Sequence, residues 1–216
     1  YISGSISDTN LIEQLTELGL EVDQSKKEKN DLLIKLDLTP NRGDCFSLIG
    51  IARDVCAVNN LKLKLPKFKK QQLILDSKKT VFMDKSACSS YLGQIIKLKS
   101  KGKTPQHIKK TLKAADIGQV NPIVDITNYV MLHTGQPLHA FDNKKIGKKI
   151  YVKFPSKRTK LKLLDGASHQ ITKDFLTISD EKEEIALAGI MGCANSEVDE
   201  TTQEIFLESA CFEPAS

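Results

Sequence analysis

Four stretches of this 216-residue chain set polar or reactive side chains among apolar ones. The first is Asn121-Pro122-Ile123-Val124-Asp125-Ile126-Thr127-Asn128-Tyr129-Val130, which puts Asp125, Thr127 and Asn128 inside an otherwise apolar helical pattern. Helix propensity does not favour these types in a helix interior. A buried polar group left unpaired costs roughly 1–3 kcal/mol. Two readings stand: a polar core network, or a ligand site. The second stretch, Gly135-Gln136-Pro137-Leu138-His139-Ala140-Phe141-Asp142, follows directly. Gly135 and Pro137 end the helix and start a rigid loop, on which His139 is either a satisfied core histidine or a catalytic or binding group. In the third, Ala188-Gly189-Ile190-Met191-Gly192, two glycines flank two large apolar residues. That pattern fits either a tight bend or a close backbone approach to a ligand. The fourth, Ile205-Phe206-Leu207-Glu208-Ser209-Ala210-Cys211-Phe212, carries a carboxylate in an apolar strand. Glu208 either points to solvent or is buried, where it is suited to accept a hydrogen bond from a hydroxyl-bearing ligand.

A fifth segment, Thr39-Pro40-Asn41-Arg42-Gly43-Asp44, has good turn chemistry, and its Arg42 is a candidate phosphate or RNA contact. His107, His133 and His169 have no metal-ligand spacing, and His133 and His139 do not share a helical face. The five cysteines, Cys45, Cys56, Cys88, Cys193 and Cys211, include no CxxC pair. This argues against a zinc site and a disulfide framework and for buried free thiols in a reducing compartment. No metal site is therefore expected. No phosphate-binding P-loop, serine-hydrolase elbow or HExxH helix is present either.

The elements that must position these groups follow from periodicity. Residues 8–20 read as a helix capped by Asp8 or Thr9, residues 23–31 as a solvated loop, and 32–38 as a half-buried strand. A second helix opens at Ser47, a basic one runs from Thr104-Pro105 to Ala115, and a mostly buried one covers 121–134. A strand over 91–98 precedes the last two of these helices, and short strands follow from Ile150 onward: 151–154, 161–164, 176–178, 185–191 and 205–207. Helices early and strands late predict an α+β fold. The expected arrangement is a small helix-strand-helix unit over 1–65 and a larger mixed α+β domain, rich in short strands, over 66–216. The lysine-rich stretch 61–80 with Pro66 is the expected boundary.

Net charge is +5, and only Arg42, Arg53 and Arg158 among 32 basic residues are arginine. Lysine attracts phosphate as a point charge and lacks arginine's two-pronged contact, so diffuse attraction to an RNA backbone is the expectation. No stretch approaches the ~20 apolar residues of a membrane helix. The chain starts at Tyr1 and stops at Ser216 without a tidy element, which reads as an excerpt of something longer.

Taken in order, the segments IEQLTELGLEVD, LTPNRGDCFSLIGIARDV, VNPIVDITNYVMLHTGQPLHAFD, LLDG, AGIMGCANSEV and IFLESACFEP resemble the beta subunit of bacterial-type phenylalanyl-tRNA synthetase. The resemblance covers nearly the whole chain. It implies a cytoplasmic class II ligase of two alpha and two beta subunits that binds tRNA(Phe). The aminoacylation site, with ATP and Mg, lies outside this chain, and no cofactor is implied within it. The matching region of beta is the small N-terminal domain, without the RNA-binding barrel usually inserted there, and an editing module truncated at its C-terminal end. That module hydrolyses tyrosine wrongly attached to tRNA(Phe). A pocket for phenylalanine rejects the added hydroxyl only modestly, so a second site that requires the hydroxyl does the sorting. By position, Thr127, His139, Gly189, Gly192 and Glu208 match the editing pocket, with His139 as the catalytic group and Glu208 as the reader of the hydroxyl. The chain departs from the family at Gly118 (often Arg), His107 (Trp), His133 (acidic) and Cys193 (Gly). The family pocket also draws a Thr and an Ala from sequence beyond Ser216. The alternative reading is a structural and tRNA-contacting region of the same subunit with a decayed editing site.

Overall fold

The computed structural model describes residues 1–28, 31–67, 79–100 and 102–214. These divide into two compact units. The first takes the chain up to Lys67 together with Pro105–Gln119 and Asn128–Gln136. The second takes the chain from Lys79 to Thr104, Val120–Thr127, and Pro137 onward. The sequence predicts one cut, at 65/66. Part of its lysine-rich boundary, 68–78, lies outside the described residues.

In the first unit, α1 (Asp8–Glu17) starts at Ser7, whose hydroxyl accepts a hydrogen bond from the Asn10 N–H. The cap is thus Ser7 rather than Asp8 or Thr9. Strand β1 (Glu21–Glu28) pairs antiparallel with β2 (Asp31–Asp37). The expected loop over 23–31 is therefore mostly a strand. Nearly every side chain of β1 is exposed, so no apolar alternation marks it in the sequence. β2 does alternate, turning Ile34 and Leu36 toward a core of Leu15, Leu20, Cys45 and Val55. Helix α2 (Leu48–Val58) is capped by Ser47, and α3 spans Gln106–Ala114.

The second unit has two larger sheets and a two-stranded hairpin among its described residues. β3 (Thr80–Met83) and β4 (Cys88–Lys97) precede α4 (Pro122–Thr134), which begins in this unit and ends in the first. Then come β5 (His139–Asp142), β6 (Lys149–Lys153), the hairpin β7 (Thr159–Lys162) with β8 (Ser168–Ile171), β9 (Thr177–Ser179), β10 (Glu184–Leu187), β11 (Met191–Gly192) and β12 (Glu204–Phe212). One sheet runs in the order β11-β10-β9-β6-β3, antiparallel except for β3 beside β6. The other runs β4-β12-β5 and is antiparallel throughout. Their facing side chains make one core, with Ile150, Val152, Ile178 and Ile185 from the first sheet and Tyr91, Phe141 and Phe206 from the second. The fold class is α+β, as expected.

Helix α4 is not the mostly buried helix expected. Its buried residues are the polar Asp125 and Thr127, while Ile126 is exposed. Asn121 starts the helix by accepting from the Ile123 and Val124 N–H groups, both at 3.0 Å. Asp125 accepts from the Thr104 hydroxyl and from the Val120 N–H at 3.0 Å. Of the two readings of this segment, a polar core network describes Asp125. Among the described residues, no helix is long and apolar enough to cross a membrane.

Candidate functional site

A cavity of about 200 Å³ opens in the second unit, between one end of the two sheets. Its walls include Pro137, Leu138 and His139, the bend Gly189–Gly192, and the side chains of Glu208, Ala210 and Phe212. The spacing of the last three follows from strand geometry. Alternate residues share a face, so Phe206, Glu208, Ala210 and Phe212 point one way while Ile205 and Leu207 join a separate cluster with Ala140.

His139 is the first residue of β5, a strand position where a loop was expected. β5 is only four residues long and holds no alternation long enough to read in the sequence. His139 sits directly opposite Glu208 in the β5–β12 register. Its ring meets Phe141 edge-on, with centroids 4.5 Å apart and planes at 77°. Burial lowers its pKa from 6.5 to about 4, because an imidazolium would lose its hydration there. The ring is neutral at pH 7.

Glu208 is buried at 6% exposure, so the solvent-facing reading is set aside. Burial raises its carboxyl pKa from 4.5 to about 7, and a hydrogen bond from Tyr91 opposes that rise. The Tyr91 hydroxyl donates to Glu208 Oε2 at 2.7 Å, and its own pKa is raised by burial and by the carboxylate beside it. No sequence pattern singles out Tyr91. The cue it offered was a phenol in a strand otherwise read as plain β structure.

The two glycines have different tasks. Gly189 adopts φ +69° in the tight turn that the Ile190 N–H closes on the Leu187 carbonyl. Gly192 is flat against the histidine: a Cβ there would lie 2.7 Å from both Cε1 and Nε2 of His139. The close approach at Gly192 is thus to His139. Cys193, one of the departures, packs with Leu161, Leu163, Ile171 and Leu187 and does not enter the cavity wall. Burial pushes its thiol to about 11. Of the five cysteines, Cys211 is exposed and the other four are buried, so the expectation of buried thiols fails at Cys211.

The structure thus brings His139, Gly189, Gly192 and Glu208 to one cavity. Thr127 is not in its wall; the residue is buried, and its hydroxyl donates to the Val124 carbonyl at 2.8 Å within α4. Arg42 is engaged in the first unit by Asp44 and Asp54, which raise its pKa. The ligand atoms of Asp44, Cys45 and Asp54 lie within 4.8 Å of one another, but the Arg42 guanidinium already fills that cluster.

The chain is 42% identical over 91% of its length to a phenylalanine–tRNA ligase beta subunit of Photorhabdus laumondii, covering 25% of that protein. It is 37% identical over its full length to the corresponding subunit of Rhodopirellula baltica, covering 32% of it. The chain therefore spans a quarter to a third of the curated relatives it matches. An N-terminal fragment of the phenylalanyl-tRNA synthetase beta-subunit from Pyrococcus horikoshii aligns with 97% of the chain and 64% of its own, at 18% identity and a TM-score of 0.49. The family model described as the B3/4 domain matches residues 87–216, which contain every wall residue of the cavity. That match takes in more than half of the chain, and the chain belongs to the B3/4 domain family.

Proposed function

We propose that this chain is part of the beta subunit of a phenylalanyl-tRNA synthetase and that its cavity hydrolyses tyrosine wrongly esterified to tRNA(Phe). One observation carries the reading: a buried carboxylate and a neutral imidazole face each other across two strands and line the same cavity. The relatives' names and the B3/4 match support it. In this reading Glu208 accepts a hydrogen bond from the tyrosyl hydroxyl, and the bend Gly189–Gly192 forms the wall beside the amino acid. Water attacks the ester carbonyl, the bond to the tRNA ribose oxygen breaks, and tyrosine and a free tRNA end are released. His139, held neutral, orients the water and the tRNA end through its ring nitrogens. With a pKa of about 4 it is a weak general base at pH 7, so positioning is its main contribution.

The reading extends to the whole enzyme. A partner alpha subunit, in a complex of two alpha and two beta, carries out aminoacylation with ATP and Mg in the cytoplasm. No step of the hydrolysis described here draws on either. A second reading, a tRNA-contacting region whose editing has decayed, is favoured by Thr127, which lies outside the cavity wall. Deacylation of tyrosyl-tRNA(Phe) by the full two-subunit enzyme separates the two. Wild type is expected to hydrolyse the tyrosyl ester in preference to the phenylalanyl ester, with Glu208→Ala losing that preference and His139→Ala losing about 10²-fold or more in rate. Absence of tyrosyl hydrolysis by wild type sinks the editing reading, and unimpaired variants sink the site.

A further inference from the structure

Glu208 receives its hydrogen bond from outside the cavity wall. Gly93, directly opposite it on β4, has no side chain to offer. The donor comes instead from the diagonal neighbour Tyr91, which pairs with Ala210 and lies on the same sheet face. Tyr91 is 8% exposed, belongs to the core, and is absent from the cavity wall. Among the described residues, its hydroxyl is the protein donor that reaches the carboxylate.

A phenol fixed on one carboxylate oxygen does three things. It locks the side-chain rotamer, it supports the charged form against burial, and it occupies one acceptor site on Oε2. In the ionised form the remaining oxygen is then an acceptor with no proton of its own to give. A ligand that brings an O–H to that point satisfies it. A ligand that brings only C–H leaves a desolvated charge without a partner, a penalty larger than the hydrogen bond itself is worth. We infer that Tyr91 is a positioning residue that makes the cavity selective for a ligand with a hydrogen-bond donor at the far end of its side chain, an aryl hydroxyl above all. The inference rests on the proposed editing function for the identity of that ligand.

The test uses the full two-subunit enzyme and two stable stand-ins for the aminoacyl group, L-tyrosinamide and L-phenylalaninamide. Their binding is measured by calorimetry, with Glu208→Gln as the baseline for binding elsewhere in the enzyme. Wild type is expected to prefer tyrosinamide. Tyr91→Phe, which keeps the ring and removes one oxygen, reduces that preference about tenfold near neutral pH. It also moves the ionisation of Glu208, followed by difference infrared spectroscopy against Glu208→Gln, to higher pH. Raising the pH then restores part of the preference, a rescue that mere loss of packing does not give. Site-specific difluorotyrosine at position 91 keeps the volume and strengthens the donor, so it shifts the ionisation the other way even if Tyr91→Phe fails to fold. A wild-type preference that survives either change at position 91, with the Glu208 ionisation unmoved, overturns this inference alone. A wild type with no preference for tyrosinamide overturns the editing reading and this inference together.

Discussion

At the residue scale, the site depends on contacts too close for a substitution to leave alone. Gly192 lies under the His139 ring, and any β-carbon must either push the ring into the cavity or move β11. Overpacking of this kind costs ~1–3 kcal/mol. Gly192→Ala is therefore expected to lower the denaturation midpoint and to disable the cavity, while Gly118→Ala, with nothing within 4 Å of the added carbon, leaves both in place. Urea titrations of the two variants beside wild type check this. If Gly192→Ala is as stable and active as Gly118→Ala, the histidine is not held as described. The glycine pair was visible in the sequence as an oddity. What each glycine approaches was not, because His139 lies about fifty residues earlier and no local pattern links the two.

At the element scale, the start of α4 is held by groups that propensity disfavours. Asp125 gathers the Thr104 hydroxyl and the Val120 N–H, tying the entry of the helix to the segment before α3. Asp125→Ala leaves buried donors without an acceptor and is expected to destabilise by ~1–3 kcal/mol. Thr104→Val is expected to cost less, and the two losses to be non-additive in a double-mutant cycle, since one hydrogen bond is counted in both. Strict additivity would mean that the two side chains do not interact. Elements with a strong apolar period are legible from sequence: α1, α2, β2 and β6 lie close to the ranges that the pattern marks, whereas β12 runs well past the 205–207 expected. β1 was read as loop because a strand exposed on both faces has no period to show. β5 was read as loop because Gly135 and Pro137 announce a turn and only four strand residues follow.

At the scale of the whole molecule, the two titrating groups of the cavity pull stability in opposite directions. Glu208 has a folded pKa of about 7 against 4.5 unfolded, so the folded form holds its proton more tightly. Its contribution is fully present below about 4.5 and is lost as pH rises to about 7. His139 has a folded pKa of about 4 against 6.5, so its contribution is present above 6.5 and is lost as pH falls toward 4. Each is worth at most roughly 3 kcal/mol across its window. Between about 4.5 and 6.5 the slopes nearly cancel, and wild-type stability is expected to be flat there. Glu208→Gln uncovers a protein that weakens as the medium is acidified, and His139→Phe one that weakens as it is made alkaline through the same range. Denaturation midpoints at several pH values check this; parallel profiles for all three proteins would show that neither group is perturbed by burial. Charge and composition announced none of this. They describe the surface, whereas both groups are set by a fold that brings distant segments into one register.

That register has a consequence at the level of the gene. Glu208 meets Tyr91 and His139 because β12 runs between β4 and β5 in unbroken register from Glu204 to Cys211 and from Ile205 to Glu208. Gaining or losing one codon inside β12 would turn Leu207 or Ser209 toward the cavity and Glu208 away from it. The same change in the segment joining β11 to β12 would leave the phase untouched. Descendants of this gene can therefore drift in length around the site, but a single in-frame insertion between Glu204 and Glu208 is expected to turn the carboxylate out of it.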